Sequence, residues 1–160
     1  YGAAISEVAI DTLTGESKVL AVDILHDVGK SLNPVIDLGQ VEGGFIQGMG
    51  WLTTEELWWD VRGRLDTHAP STYKIPACAD RPEAFNVTLW ERGENVEETI
   101  HRSKAVGEPP LMLGISVLHA ISDAVSSLSG GRLLADLDAP ATPERILGAV
   151  EDMAAREAGA

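Results

Sequence analysis

From Ala3 to Asp11 the chain alternates, with Ser6, Val8 and Ile10 opposed to Glu7, Ala9 and Asp11. A period of two marks a half-buried strand. Asp11-Thr12-Leu13-Thr14-Gly15-Glu16 follows as a turn, and Lys18 to Leu25 reads as the returning strand of a hairpin. After a loop from His26 to Ser31 the period changes. Asn33 suits an N-cap and Pro34 a first helical position, and Leu38, Val41, Phe45, Met49 and Leu52 then recur at helical spacing. Gln40, Gly43, Gly44 and Gln47 lie on a second face of that helix. Glu55 to Asp60 and Arg64 to Thr67 predict a shorter hairpin about Val61-Arg62-Gly63, with Trp58 and Trp59 in core or interface packing. His68 to Pro82 is broken by prolines and reads as irregular, and Ala84 to Trp90 alternates again as a strand. A helix is predicted from Pro109 to Leu128, apolar nearly all round at its start and therefore buried. Gly130-Gly131 ends it, and Thr142-Pro143-Glu144 opens a terminal helix running towards Arg156.

These elements specify an α+β fold of two layers, an antiparallel or mixed sheet with hairpins packed by helices. A chain of 160 residues that is 44% hydrophobic is long enough for one domain with a real core. The net charge of −13 disfavours binding to nucleic acid or to an anionic membrane. Cys78 is the only cysteine, so no internal disulfide forms and a reducing, cytoplasmic setting is the expectation. Flanked by Ala77 and Ala79, it reads as a small packed residue. No run has the length of a membrane span and no signal peptide is evident. The chain starts at Tyr1, on the edge of a strand pattern, which reads as a piece of a longer or processed polypeptide.

Candidate chemistry gathers at two places. Five glycines, Gly39, Gly43, Gly44, Gly48 and Gly50, fall within the first helix. Each costs about 0.5–1 kcal/mol relative to alanine there. The compensation is either tight packing against another element or a ligand pressed on the Gln40 face. The second place is Gly107-Glu108-Pro109-Pro110. Glu108 lies beside the positive end of the following helix, either as a capping acid or as a positioned general base. Lys104 is open between a site residue and a surface charge. The four histidines are scattered without metal-ligand spacing, and no nucleophile elbow is present. The glycines lack the Lys-Ser or Lys-Thr of a phosphate loop. No local feature, taken alone, fixes a reaction.

Three stretches in register resemble one family. They are Leu32-Asn33-Pro34-Val35-Ile36-Asp37-Leu38-Gly39-Gln40-Val41-Glu42-Gly43, Pro70-Ser71-Thr72-Tyr73-Lys74-Ile75-Pro76 and Ser103-Lys104-Ala105-Val106-Gly107-Glu108-Pro109-Pro110. The order is similar to that of the molybdenum hydroxylases of xanthine dehydrogenase type, at the C-terminal end of their molybdenum-binding subunit or domain. The resemblance implies that residues 1–138 are the C-terminal part of a molybdopterin-binding domain and 139–160 its terminal helix and tail. In this family molybdenum is held by the dithiolene of a pterin, so no side chain need ligate it. The resemblance carries the general base to Glu108, a cofactor contact to Gln40 and a backbone position near the metal site to Gly107. It implies oxidation of hypoxanthine and xanthine to urate, with electrons leaving through iron–sulfur clusters and FAD to NAD. The implied partners are the rest of the molybdenum-binding subunit, the iron–sulfur and flavin domains or subunit, and a purine. Gly-Glu-Pro-Pro is closer to xanthine dehydrogenases than to aldehyde oxidases. An aldehyde or other heteroaromatic hydroxylase, or a non-catalytic assembly module, are the alternatives. The family's substrate-orienting Arg and Glu lie outside this chain, so the isolated chain is expected to show no turnover.

Overall fold

The computed structural model describes residues 1–159. Among them, β1 (Gly2–Ile10), β2 (Ser17–His26) and β3 (Ala84–Leu89) form one sheet in the order β1-β2-β3. β1 runs antiparallel to β2, with a bulge between Glu7 and Val8, and β3 runs parallel to β2. The sheet is therefore mixed, with β1 at one edge. The turn of the hairpin forms as its residues dictate: Asp11 Oδ1 accepts the Leu13 N–H at 2.8 Å and Gly15 takes φ +74°.

Three helices follow: α1 (Pro34–Thr53), α2 (Ile115–Ser127) and α3 (Pro143–Ala158). Asn33 caps α1 by accepting the Ile36 N–H, and Thr142 caps α3 by accepting the Arg145 N–H. The apolar stripe of α1 meets the sheet and α2, and α3 packs on α2. Val22, Ile24, Val41, Phe45, Met49, Val117, Ile121, Val125, Ile146 and Met153 make one core.

The helix expected from Pro109 does not start as an α-helix. Pro109–Gly114 is a 3₁₀ segment, and α2 begins only at Ile115. Two prolines remove the first N–H groups, and the tighter 3₁₀ turn lets its backbone reach α1. A Cβ on Gly44 would lie 3.0 Å from Pro110 Cβ, one on Gly48 would overlap the Leu111 carbonyl, and one on Gly114 would overlap Gly48. Together Pro109–Ser127 is long and apolar enough to cross a membrane by length and composition, contrary to the reading of the sequence. Here one face packs on β1 and α1 while Met112 and Ile115 are exposed, so the segment is not buried all round as its apolar start suggested.

The second hairpin is reduced to a turn with a single bridge, Trp59 to Leu65. Asp60 Oδ1 accepts the N–H groups of Arg62 and Arg64, so the side chain serves the turn in place of a longer ladder. Trp58 and Trp59 are 59% and 57% exposed and join no core. Cys78 is likewise exposed, in a short 3₁₀ turn, and is not a packed residue.

The glycines of α1 divide. Gly44 and Gly48 seat the 3₁₀ segment, and Gly50 abuts Glu55 and Pro76, whereas a Cβ on Gly39 or Gly43 would meet nothing within 4 Å. His26, at the end of β2, is 2% exposed, and neither ring nitrogen has a partner among the described residues. Burial lowers its pKa, with Asp27 opposing.

Two outcomes follow from this packing. Gly48→Ala lowers stability by about 1–3 kcal/mol, because neither backbone can yield, whereas Gly43→Ala raises it by about 0.5–1 kcal/mol; chemical denaturation of the two variants distinguishes them. For His26, the folded state binds its proton less tightly than the unfolded state. Its contribution to stability is therefore present above the ordinary histidine pKa and lost as pH falls through the window below it. Thermal unfolding of wild type and His26→Leu between about pH 7 and 5 should show a steeper loss in the wild type.

Candidate functional site

Two segments meet at the open end of α1. Gln40 and Gly43 lie on its exposed side, one turn apart. The loop Lys104–Glu108 crosses beside them, and a Cβ on Gly107 would stand 3.6 Å from Gln40 Oε1. Gly107 and Gln40, far apart in sequence, are thus neighbours, with Glu108 next along the chain. Both Gln40 and Glu108 are exposed. Around Gln40, at Gly39 and Gly43, a Cβ would meet nothing within 4 Å, so the helix backbone is bare there.

Glu108 occupies the N-cap position of the 3₁₀ segment but makes no capping hydrogen bond. The second helical residue is Pro110, which has no N–H, and the Leu111 N–H is donated to the Glu108 carbonyl at 3.0 Å. No backbone donor remains for the carboxylate, so it is not a capping acid. It projects from a segment fixed downstream, where buried Pro110 sits on Gly44.

Upstream, Lys104 is not a free surface charge. Its Nζ donates to Asp27 Oδ2 at 2.5 Å and its backbone N–H to the Val28 carbonyl at 2.8 Å. Asp27 Oδ1 accepts the Gly29 N–H at 2.8 Å. Burial pushes the Asp27 carboxyl up, but the hydrogen bonds from Lys104 and Gly29 outweigh it and hold the group below its ordinary value. Asp27 was not singled out by the sequence; only its place in a loop with Gly29 hinted at it.

Beyond Gly43 a groove continues along α1, lined by Gln47, Trp51, Glu55, Tyr73 and Pro76. The Tyr73 hydroxyl donates to Glu55 Oε2 at 2.5 Å, and this bond, with burial, raises the phenol's pKa. Glu55 is 9% exposed, so Tyr73 ties the Pro70–Pro76 loop to the end of α1. No group of three or more His, Cys, Asp or Glu that could hold a metal ion occurs among the described residues.

The family model of the molybdopterin cofactor-binding domain matches residues 1–82, the hairpin, α1 and the loop after it. The chain belongs to that family. It is 50% identical to xanthine dehydrogenase/oxidase from Felis catus over 98% of its length, and 50% identical to aldehyde oxidase 1 from Macaca fascicularis over 95%. In each case it spans only 12% of the relative. Among solved structures it is similar to quinoline 2-oxidoreductase from Pseudomonas putida 86, with a TM-score of 0.79 at 28% identity, covering 91% of this chain and 18% of that one. Gln40 lies inside the matched residues, and Gly107 and Glu108 lie beyond them.

Proposed function

We propose that this chain forms one wall of the active site of a molybdenum hydroxylase of xanthine dehydrogenase type. Glu108 is its general base, and Gln40 and Gly107 belong to its molybdopterin pocket. The observation that carries this reading is the meeting of Gly107 with Gln40 on the bare-backbone side of α1, immediately before an uncapped carboxylate.

The residues suit the group. Gln40 offers both a donor and an acceptor to the polar edge of a pterin. Gly39, Gly43 and Gly107 allow it to lie close to the main chain, and no protein ligand is demanded, because the pterin itself carries the metal. When bound, the molybdenum cofactor supplies a two-electron acceptor for the oxidation. Glu108 then has the task of accepting a proton as the substrate gains oxygen. An exposed carboxylate that caps no helix, and has no donor among the described residues, has its acceptor oxygens available for that role. Water would be excluded from it by the remainder of the polypeptide and by the substrate.

Xanthine and hypoxanthine are the substrates this reading favours, with electrons passing through iron–sulfur clusters and FAD to NAD in the complete enzyme. Aldehyde oxidation is the second reading, supported by the equal identity to aldehyde oxidase 1. Turnover of xanthine against aldehydes by the complete enzyme separates the two.

In that enzyme, Glu108→Gln should keep its molybdenum while xanthine turnover falls by about 10²–10⁴-fold. Turnover at the wild-type level would remove Glu108 from the chemistry. Gly43→Leu, at a position where a Cβ meets nothing within 4 Å, should lower molybdopterin content while the apo-protein keeps its thermal stability, read by metal analysis and calorimetry.

A further inference from the structure

The loop bearing Glu108 is held by contacts that the proposed reaction does not itself use. Lys104 and Asp27 form the only ion pair among the described residues in which both side chains are less than a quarter exposed, at 22% and 16%. The other pairs have at least one partner that is a third or more exposed. Exposed pairs contribute little. A pair withdrawn from solvent, with its carboxylate further bound by a backbone N–H, is stiffer and directional.

The backbone reinforces it. The Lys30 N–H donates to the Arg102 carbonyl at 3.1 Å, and Gly29 bridges Ser103. Gly29 sits at φ +64°, and a Cβ there would lie 2.5 Å from the Arg102 carbonyl oxygen. Two loops are thus clasped face to face. One, Asp27–Lys30, leads into α1 and so towards Gln40. The other leads through Lys104 to Gly107 and Glu108. Between Lys104 and the seat of Pro110 on Gly44, only Val106 packs on the core. The place of the Glu108 carboxylate relative to Gln40 is consequently set by two anchors, one apolar and one ionic.

We propose that Lys104 and Asp27 are positioning residues for Glu108, acting through the loop and touching neither substrate nor cofactor. This rests on the reading of Glu108 as the base. A displacement of about 1 Å at a reacting group can cost about 10²-fold in rate. Loss of the pair is therefore expected to act on kcat while leaving the pocket and substrate affinity in place.

The test uses the complete enzyme. Lys104→Gln and Asp27→Asn each remove the ionic contact, and Asp27→Asn keeps an acceptor for the Gly29 N–H. Each should retain molybdenum and lower kcat by about 10–100-fold with KM changed less than about threefold. Lys104→Arg should recover most of the loss, since it restores the charge. In a Glu108→Gln background, Lys104→Gln should add little, because its effect is routed through a base already removed. Additive losses in the double variant, a change in KM with kcat intact, or wild-type kcat in both single variants overturn the proposal. So does loss of molybdenum or of folded enzyme in both. If Glu108→Gln alone leaves turnover intact, the base assignment fails instead, a separate outcome.

Discussion

The constraint on which the rest of the molecule depends is a contact between two backbones. At Gly48 and Gly114 the helix α1 and the 3₁₀ segment Pro109–Gly114 approach main chain to main chain, and at Gly44 the Pro110 ring seats against bare helix backbone. The cost of three flexible residues is offset by close packing of main-chain atoms, each pair contributing little and the whole set a good deal. Because Glu108 directly precedes this crossing and Gln40 precedes Gly44 by one turn, the same contact that closes the core also places the candidate site.

The electrostatics are arranged differently on the two sides of that crossing. Behind it lies an apolar core, and burial at the end of β2 lowers the pKa of His26. In front, the polar groups are tied to one another: Lys104 with Asp27, Tyr73 with Glu55, Ser31 with Asp37 at 2.5 Å. Gln40 and Glu108 stand outside these ties, exposed and without a side-chain hydrogen bond among the described residues. Polar groups that a fold leaves uncommitted next to bare glycine backbone are the ones available to something else.

Much of this was legible in the sequence because local signals and burial agreed. The alternation of β1, the capping residues Asn33 and Thr142 and the stripe Val41, Phe45, Met49 each point to one structure at short range. What was not legible depended on contacts across the fold. The glycines of α1 were ambiguous between packing and ligand approach; contacts across the fold give packing at Gly44 and Gly48 and leave open space at Gly39 and Gly43. The 3₁₀ start of the Pro109 element and the role of Asp27 arise from partners distant in sequence, which no periodicity reports. Of the core or interface packing expected for Trp58 and Trp59, the core is excluded, because their turn is organised by the Asp60 carboxylate and leaves both rings exposed.

The edge of the sheet carries a consequence of a different kind. β1 offers nine residues, Gly2–Ile10, without a proline or a lysine and with Glu7 as the one charge, and Ile5 on it is 76% exposed. Among the described residues this edge is unpaired and interrupted only by the bulge between Glu7 and Val8, so it is a place on which another strand can pair. In the isolated chain that edge gives copies of the molecule a way to join without unfolding, held in check by the mutual repulsion of a net charge of −13.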